Sequence, residues 1–231
     1  MKKVLVALVF SAFTIQSHAA VLQLSDVEFW VGSGSNEAGL VIDFNDGTTT
    51  ESFAWGYRWD GTASGADMLL AVVAADSQLS LTSSGTGSSG FFLSQIGYFD
   101  GVDSHSETNG SFAVHPADYL SWGYYIAGGF AGDDQPFVAG GNPVAIGGGG
   151  VSLPSSWTSS PSGASLDSFG DSGRILTDGS WDAWSFGQNS TSFVHEVPPG
   201  PESITAAVPE PSTFLLLSIG LGLLGFSRRR R

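Results

Sequence analysis

The chain contains no cysteine. Disulfide bridges, thiol catalysis and a lipid-modified cysteine behind an export leader are thereby excluded. Positive charge is nearly as scarce. Of eight Lys and Arg residues, six are Lys2, Lys3, Arg228, Arg229, Arg230 and Arg231, which leaves only Arg58 and Arg174 between Ala20 and Glu210. All 22 Asp and Glu fall in that same stretch, so the body carries a formal charge of −20. Such a surface repels phosphate backbones and anionic lipid, which argues against a nucleic-acid partner and leaves divalent cations, neutral glycans and basic proteins. Closely spaced metal ligands are missing too: no HExxH occurs, and His105, His115 and His195 are scattered, so the spacing offers no zinc site. Long apolar runs are confined to the two ends.

At the first end, Lys2 and Lys3 precede a mostly apolar run from Val4 to Phe13, then the more polar Thr14 to His18 and the small pair Ala19 and Ala20. This is the three-part layout of a secretory signal peptide over residues 1–19, with Ser17 and Ala19 at the small-residue positions and cleavage between Ala19 and Ala20. It implies export through the Sec machinery. An uncleaved anchor is the alternative, and the run is too short to favour it.

Between the ends, period-two patterns dominate. In "SFAWGYRWDG" Phe53, Trp55, Tyr57 and Trp59 alternate with small or polar residues, and in "YLSWGYYIAG" Leu120, Trp122, Tyr124 and Ile126 do the same. Strands there place the aromatics on one face. Asn45-Asp46-Gly47 signals a hairpin between "AGLVIDF" and "TTTESFAW". Further strands are predicted near Leu22 to Val31, Leu79 to Thr82, Phe91 to Phe99, Ser111 to His115, Trp181 to Phe186 and Ser192 to Val197. One helix is predicted at Gly65 to Ala75, where Ser64 and Asp67 are spaced as a capping box. The fold class that follows is mainly β, a single β-sandwich-like domain over residues 20–197 with one short helix. Roughly 180 to 190 residues suffice for one core without crosslinks. Residues 139–173, mostly Gly, Ser and Pro, fit no regular element. Residues 198–207 read as a Pro-rich linker.

Several constellations carry candidate chemistry. Asp100, Asp103 and Glu107 gather in "FDGVDSHSETNG", a loop whose oxygens could hold calcium, although without EF-hand spacing; a solvated acidic turn is the other reading. No other cofactor is expected. Paired carboxylates for glycoside hydrolysis cannot be selected from 22 acids. The tryptophans serve either as core or as a platform stacking on sugar rings. Trp181 and Trp184, in "DGSWDAWSFG", are the platform candidates because acids and Gly around them suggest an exposed bend. Arg58 and Arg174 are expected in structural ion pairs. "GDSG" at Gly170 to Gly173 resembles the nucleophile motif of chymotrypsin-like serine proteases, with Ser172 in the nucleophile's place. The likeness stops there, because Arg174 and Ile175 follow and His115 lacks the family's context, so a turn is the better account.

At the second end, Phe214 to Phe226 is apolar apart from Ser218. Over residues 212–227 it makes a transmembrane helix about 24 Å long. The four terminal arginines hold that end in the cytoplasm, which puts Pro209-Glu210-Pro211 on the outer side. Val208, Pro209, Glu210 and Pro211, the short apolar helix and the arginine cluster together resemble a PEP-CTERM sorting signal over residues 208–231. The resemblance implies a Gram-negative bacterium and a tail recognised and processed by an exosortase, a membrane-embedded cysteine transpeptidase. It also implies passage through the inner membrane to the cell surface or to an extracellular polysaccharide, biofilm or floc matrix. "WGYRWDG" and "DGSWDAWSFG" further resemble segments of uncharacterised bacterial surface proteins.

The expected function is therefore that of an exported surface or matrix protein, not an enzyme, with glycan binding as the body's candidate activity. A secreted hydrolase acting on matrix polysaccharide or protein, and a permanently anchored single-span protein, are the alternatives.

Overall fold

The computed structural model describes residues 21, 23–44, 52–84, 92–109, 120–131, 144–159, 174–189 and 204–207. The chain is mainly β, and among the described residues there is one α-helix, α1 (Gly65–Ala75). The largest sheet joins β1 (Trp30–Gly32), β2 (Asn36–Asp43), β3 (Ser52–Trp59), β7 (Leu120–Ala127), β10 (Thr158–Ser159), β11 (Ser180–Asn189) and β12 (Ile204–Ala206). Its order is β1-β3-β2-β11-β7-β10, with β12 also on β3. A second sheet is the antiparallel meander of β4 (Leu79–Ser84), β5 (Phe92–Phe99) and β6 (Ser104–Thr108). β8 (Phe130–Ala131) and β9 (Val144–Ala145) form a short antiparallel pair.

The two aromatic-rich segments are strands, as the alternation requires. Phe53, Trp55 and Trp59 of β3 and Trp122, Tyr124 and Ile126 of β7 share one hydrophobic cluster, against which Tyr57 packs. α1 lays Met68, Leu69 and Val72 on this face, and the meander adds Leu93, Ile96 and Tyr98. Tyr98 meets Phe53 and Trp55 edge-on at centroid distances of 4.7 and 5.1 Å, the arrangement that aromatic quadrupoles prefer. α1 has the predicted bounds and start: Ser64 Oγ accepts from the Asp67 N–H at 3.1 Å, and the Asp67 carboxylate accepts from the Ser64 N–H at 2.8 Å. Both bonds satisfy donors at the helix entrance that would otherwise be unpaired.

The expected mainly β domain is present, with the meander packed on one face of the main sheet, but that sheet is not built from antiparallel pairs alone. β11 runs parallel to β2 and antiparallel to β7, and β1 and β12 both run parallel to β3, so the sheet is mixed. Only one of its faces meets the meander and the helix. On the other face Val41, Ala54, Tyr125, Ala127, Trp181 and Ala183 are covered by Val21, Leu24, Val27 and Leu153 from irregular segments. Strands β2 and β11 are consequently buried on both sides. That explains the near-continuous apolar run "AGLVI", since a strand covered on both faces loses the polar alternation of a half-exposed one.

A transverse rung crosses this second face. Trp30 stands opposite Gly56, Gly56 opposite Gly39, and Gly39 opposite Trp181. The two indoles lie over the two glycines. A Cβ on Gly56 would approach Trp30 to 2.4 Å, and one on Gly39 would approach Trp181 to 2.1 Å. Glycine in mid-strand is explained here by close approach of a ring to the backbone.

Other segments depart from expectation. The strand predicted near Leu22 to Val31 is a 3-10 turn at Leu24–Asp26 followed by the three-residue β1, because Asp26 and Gln23 close a local capping box. "FDGVDSHSETNG" is not one loop: Asp100 N–H donates to Asp103 C=O at 3.1 Å and turns the chain into β6. Within the stretch 139–173, the described residues 144–159 are irregular strand pieces held by backbone bonds, among them Gly128 N–H to Gly147 C=O and Gly150 N–H to Gly179 C=O. The linker expected at 198–207 is corrected at its end, where Ile204–Ala206 pairs with Ser52–Ala54 and Ile204, Ala206 and Ala207 are buried. The β2–β3 hairpin is present with Asp43 opposite Ser52. Its turn at 45–47, the strands predicted at 111–115 and 192–197, the leader 1–19 and the apolar segment 212–227 lie outside the described residues. Among the described residues no helix is long and apolar enough to cross a membrane.

Candidate functional site

The two proposed platform tryptophans are core residues. β11 lies between β2 and β7, so its alternate side chains enter the two opposite hydrophobic clusters, Trp181 one and Trp184 the other. Trp181 donates from Nε1 to the Gly150 carbonyl at 3.0 Å, and Trp184 packs on Tyr124 with ring centroids 4.5 Å apart. Both are buried and present no face for a sugar to stack on. The sequence misled because Asp178, Gly179 and Asp182 around them look solvent-seeking, whereas Asp182 is itself buried in a network.

The acidic group at the β5–β6 turn does not converge. Asp100 Oδ1 accepts from the Val102 and Asp103 N–H groups, each at 2.7 Å, and its Oδ2 lies 3.6 Å from His105 Nε2. Partial burial pushes the Asp100 carboxyl up, but the N–H groups of Asp103 and Val102 and the neighbouring His105 outweigh it and hold the carboxyl below its ordinary value. Asp103 is exposed, and Glu107 is buried two residues beyond His105 on the inward face of β6. Among the described residues no group of three or more His, Asp or Glu side chains is placed to share a metal ion. His105 is enclosed by Phe44 and Phe53, at centroid distances of 5.5 and 5.2 Å. His115, His195 and Ser172 lie outside the described residues.

Both body cations are in ion pairs. Arg58 bonds Glu37 at 2.9 Å and rests 4.4 Å from the Trp30 ring centroid, half exposed. Arg174 is fully buried. Its Nε donates to Asp182 Oδ1 at 2.9 Å, Nη2 reaches the same oxygen, and Nη1 donates to the Gly128 carbonyl. Tyr124 donates its hydroxyl to Asp182 Oδ2. Burial, with Asp182 beside it, drives the Tyr124 hydroxyl well above its ordinary value. Burial alone would lower Arg174, yet Asp182 and Tyr124 raise it, so the guanidinium stays charged.

Two more buried carboxylates are held by the same logic. Asp43 accepts from Ser52 and Ser185 hydroxyls at 2.9 and 2.8 Å, and Asp76 accepts from Trp55 Nε1 at 2.8 Å and the Gln78 N–H at 3.0 Å. In Asp43, Asp76 and Asp182 alike, both carboxylate oxygens are engaged by partners within the fold. These networks tie β2, β3, β7 and β11 to one another and to Arg174. Sequence reasoning singled out Arg174 but missed Asp182, Asp43 and Asp76, because nothing local marks one acid among 22 as buried.

The place where the body joins its tail was missed as well. β12 occupies the free edge of β3 opposite residues 52–54, and β1 continues along that edge opposite residues 56–58. Ala207 N–H donates to the Ala54 carbonyl at 3.0 Å, and Val21 N–H donates to the Ile204 carbonyl at 2.9 Å. The first and last described residues of the body therefore meet at one corner of the sheet. The available sequence signal was the apolar triplet around Thr205, flanked by prolines that disguised it.

No curated protein and no solved structure matches this chain. A family model does match its end: the PEP-CTERM protein-sorting motif, over residues 207–231. Its first matched residue is Ala207, the residue that caps β12 on β3. The motif implies export, transit of the membrane and handling by an exosortase on the way to the cell surface, and the chain carries this PEP-CTERM sorting signal at residues 207–231.

Proposed function

We propose that this protein is a non-catalytic component of the surface or extracellular matrix of a Gram-negative bacterium, exported behind a cleaved leader and released from its membrane tail by exosortase. The observation that carries the proposal is the direct junction of a sorting motif to a folded, strongly acidic β body, with no second chemistry between them. Removal of the tail breaks one peptide bond. The acyl carbon passes to the enzyme's thiol and then to water or an amine, while the tail leaves with the nitrogen and a proton. Support for a structural body comes from the buried carboxylates of Asp43, Asp76 and Asp182, each held by hydrogen bonds within the fold. Polysaccharide is the matrix partner in this reading, met by the surface as a whole and not by Trp181 and Trp184.

Intact-mass measurement on protein from native cells, with and without the exosortase, tests the sorting half. Loss of Phe214 to Arg231 only where the enzyme is present is expected, and a full-length steady-state species in those cells would overturn it. A hydrolase panel on the purified body tests the other half. Turnover that disappears on replacing one carboxylate would make the protein an enzyme.

A further inference from the structure

Strand β12 is three residues long and sits on a sheet edge, yet it is firmly seated. Ile204, Ala206 and Ala207 are buried, β12 pairs in parallel with Ser52–Ala54, and the Ala207 N–H reaches the Ala54 carbonyl at 3.0 Å. Val21 adds a bond from the other end of the body, donating to the Ile204 carbonyl at 2.9 Å, and it is buried in the same cluster as Ile204 and Ala206. From Ala207 to Pro209 there are only two residue steps, at most about 7 Å of chain.

An enzyme that cuts at Pro209-Glu210-Pro211 has to hold extended backbone on both sides of the bond. The residues immediately upstream are the ones whose N–H and C=O groups already bond β3 and Val21. One N–H cannot serve two ladders at once. We propose that β12 and Val21 form a clasp that limits the sorting step: the exosortase gains the backbone upstream of Pro209 only when Ile204 to Ala207 leaves the edge of β3. Short edge elements open at lower cost than strands paired on both sides, so the clasp is a gate and not a block. The inference rests on the sorting reading above and adds its regulation.

The test uses the full chain in membranes that hold the exosortase, following conversion to the shortened species by intact mass. Ala54 and Ala206 are direct neighbours in the β12–β3 register, and the natural chain has no cysteine, so Ala54→Cys with Ala206→Cys introduces one crosslink that pins β12. Conversion of the crosslinked chain should be lost and should return on reduction, while the unsubstituted chain converts under both conditions. A second variant inserts about six Gly and Ser residues between Ala207 and Val208 as a flexible spacer. It leaves β12 docked but supplies free backbone upstream, and its initial rate should rise severalfold. Conversion of the crosslinked chain at the unsubstituted rate, or an insertion variant no faster than the parent, would overturn the clasp. Failure of the unsubstituted chain to convert at all would instead overturn the sorting reading.

Discussion

Trp181 lies so closely over Gly39 that a Cβ on the glycine would come within 2.1 Å of the indole. The neighbour is a ring buried at the centre of the second cluster, not the loose end of a flexible chain, so it cannot swing aside. Gly39→Ala should therefore destabilise the body by about 1–3 kcal/mol, the usual cost of overpacking. Trp181→Ala should cost about 3–5 kcal/mol by leaving a cavity. Because the two positions share one contact, the combination should cost less than the two separate losses together. Urea denaturation midpoints of the four proteins check this, and a Trp181→Ala body with unchanged stability would contradict the core assignment.

The Arg174–Asp182 pair is a fully buried ion pair, and among the described residues neither member has a second ion-pair partner. Arg174→Met or Asp182→Asn should each lower stability by about 3–5 kcal/mol, since each strands a partner in an apolar interior. Replacing both by Met and Leu should recover much of that loss. The unfolding free energies of the three variants decide the point, and additive losses in the double variant would refute the pairing.

Tyr124 should contribute to alkaline stability, alongside Tyr125 and Tyr57, which burial also raises. The Tyr124 hydroxyl is raised well above 10.0 in the folded state, so its contribution is complete below that value. It is then lost as pH climbs through and beyond the unfolded value, where only the unfolded chain ionises. Thermal melts between neutral pH and about pH 11 should show a declining midpoint. Tyr124→Phe should be less stable at neutral pH, through loss of its bond to Asp182, yet should decline less steeply.

Acid stability has a contribution of the opposite sign. Asp100 is depressed in the folded state, so the stabilisation it gives is present above its unfolded value and fades as pH falls through the folded one. Asp100→Asn keeps an oxygen for the Val102 and Asp103 N–H groups but removes the charge beside His105. The gap in melting midpoint between parent and variant should close on acidification below the carboxylate range. A gap independent of pH would mean that the charge contributes nothing.

Much of this was legible from local spacing, and the failures share one cause. Phe53, Trp55, Tyr57 and Trp59 fall on one face because a strand alternates every two residues, and Ser64 with Asp67 caps α1 because three residues span its first turn. Alternation does not say whether the second face is covered. Trp181 and Trp184 therefore looked like an exposed pair until β11 was found between β2 and β7. The acids failed likewise, since what sets Asp43, Asp76 and Asp182 apart from exposed neighbours includes partners far along the chain, such as Ser185 for Asp43 at a separation of 142 residues.

By itself the sequence determined the sorting tail, because that signal is read along the chain as an ordered motif, an apolar run and a basic cluster, and it needs no folded context. The helix and the strand character of the aromatic segments were determined in the same way, by periodicity and capping. Only the tertiary structure decided that the main sheet is mixed, that its two tryptophan candidates are core, and that 204–207 is the last strand of the body and not a spacer. Each of these depends on which distant segment supplies the neighbouring backbone or ring. For Ile204, buried against Val21, that neighbour comes from the opposite end of the body, and no local pattern around residue 204 encodes it.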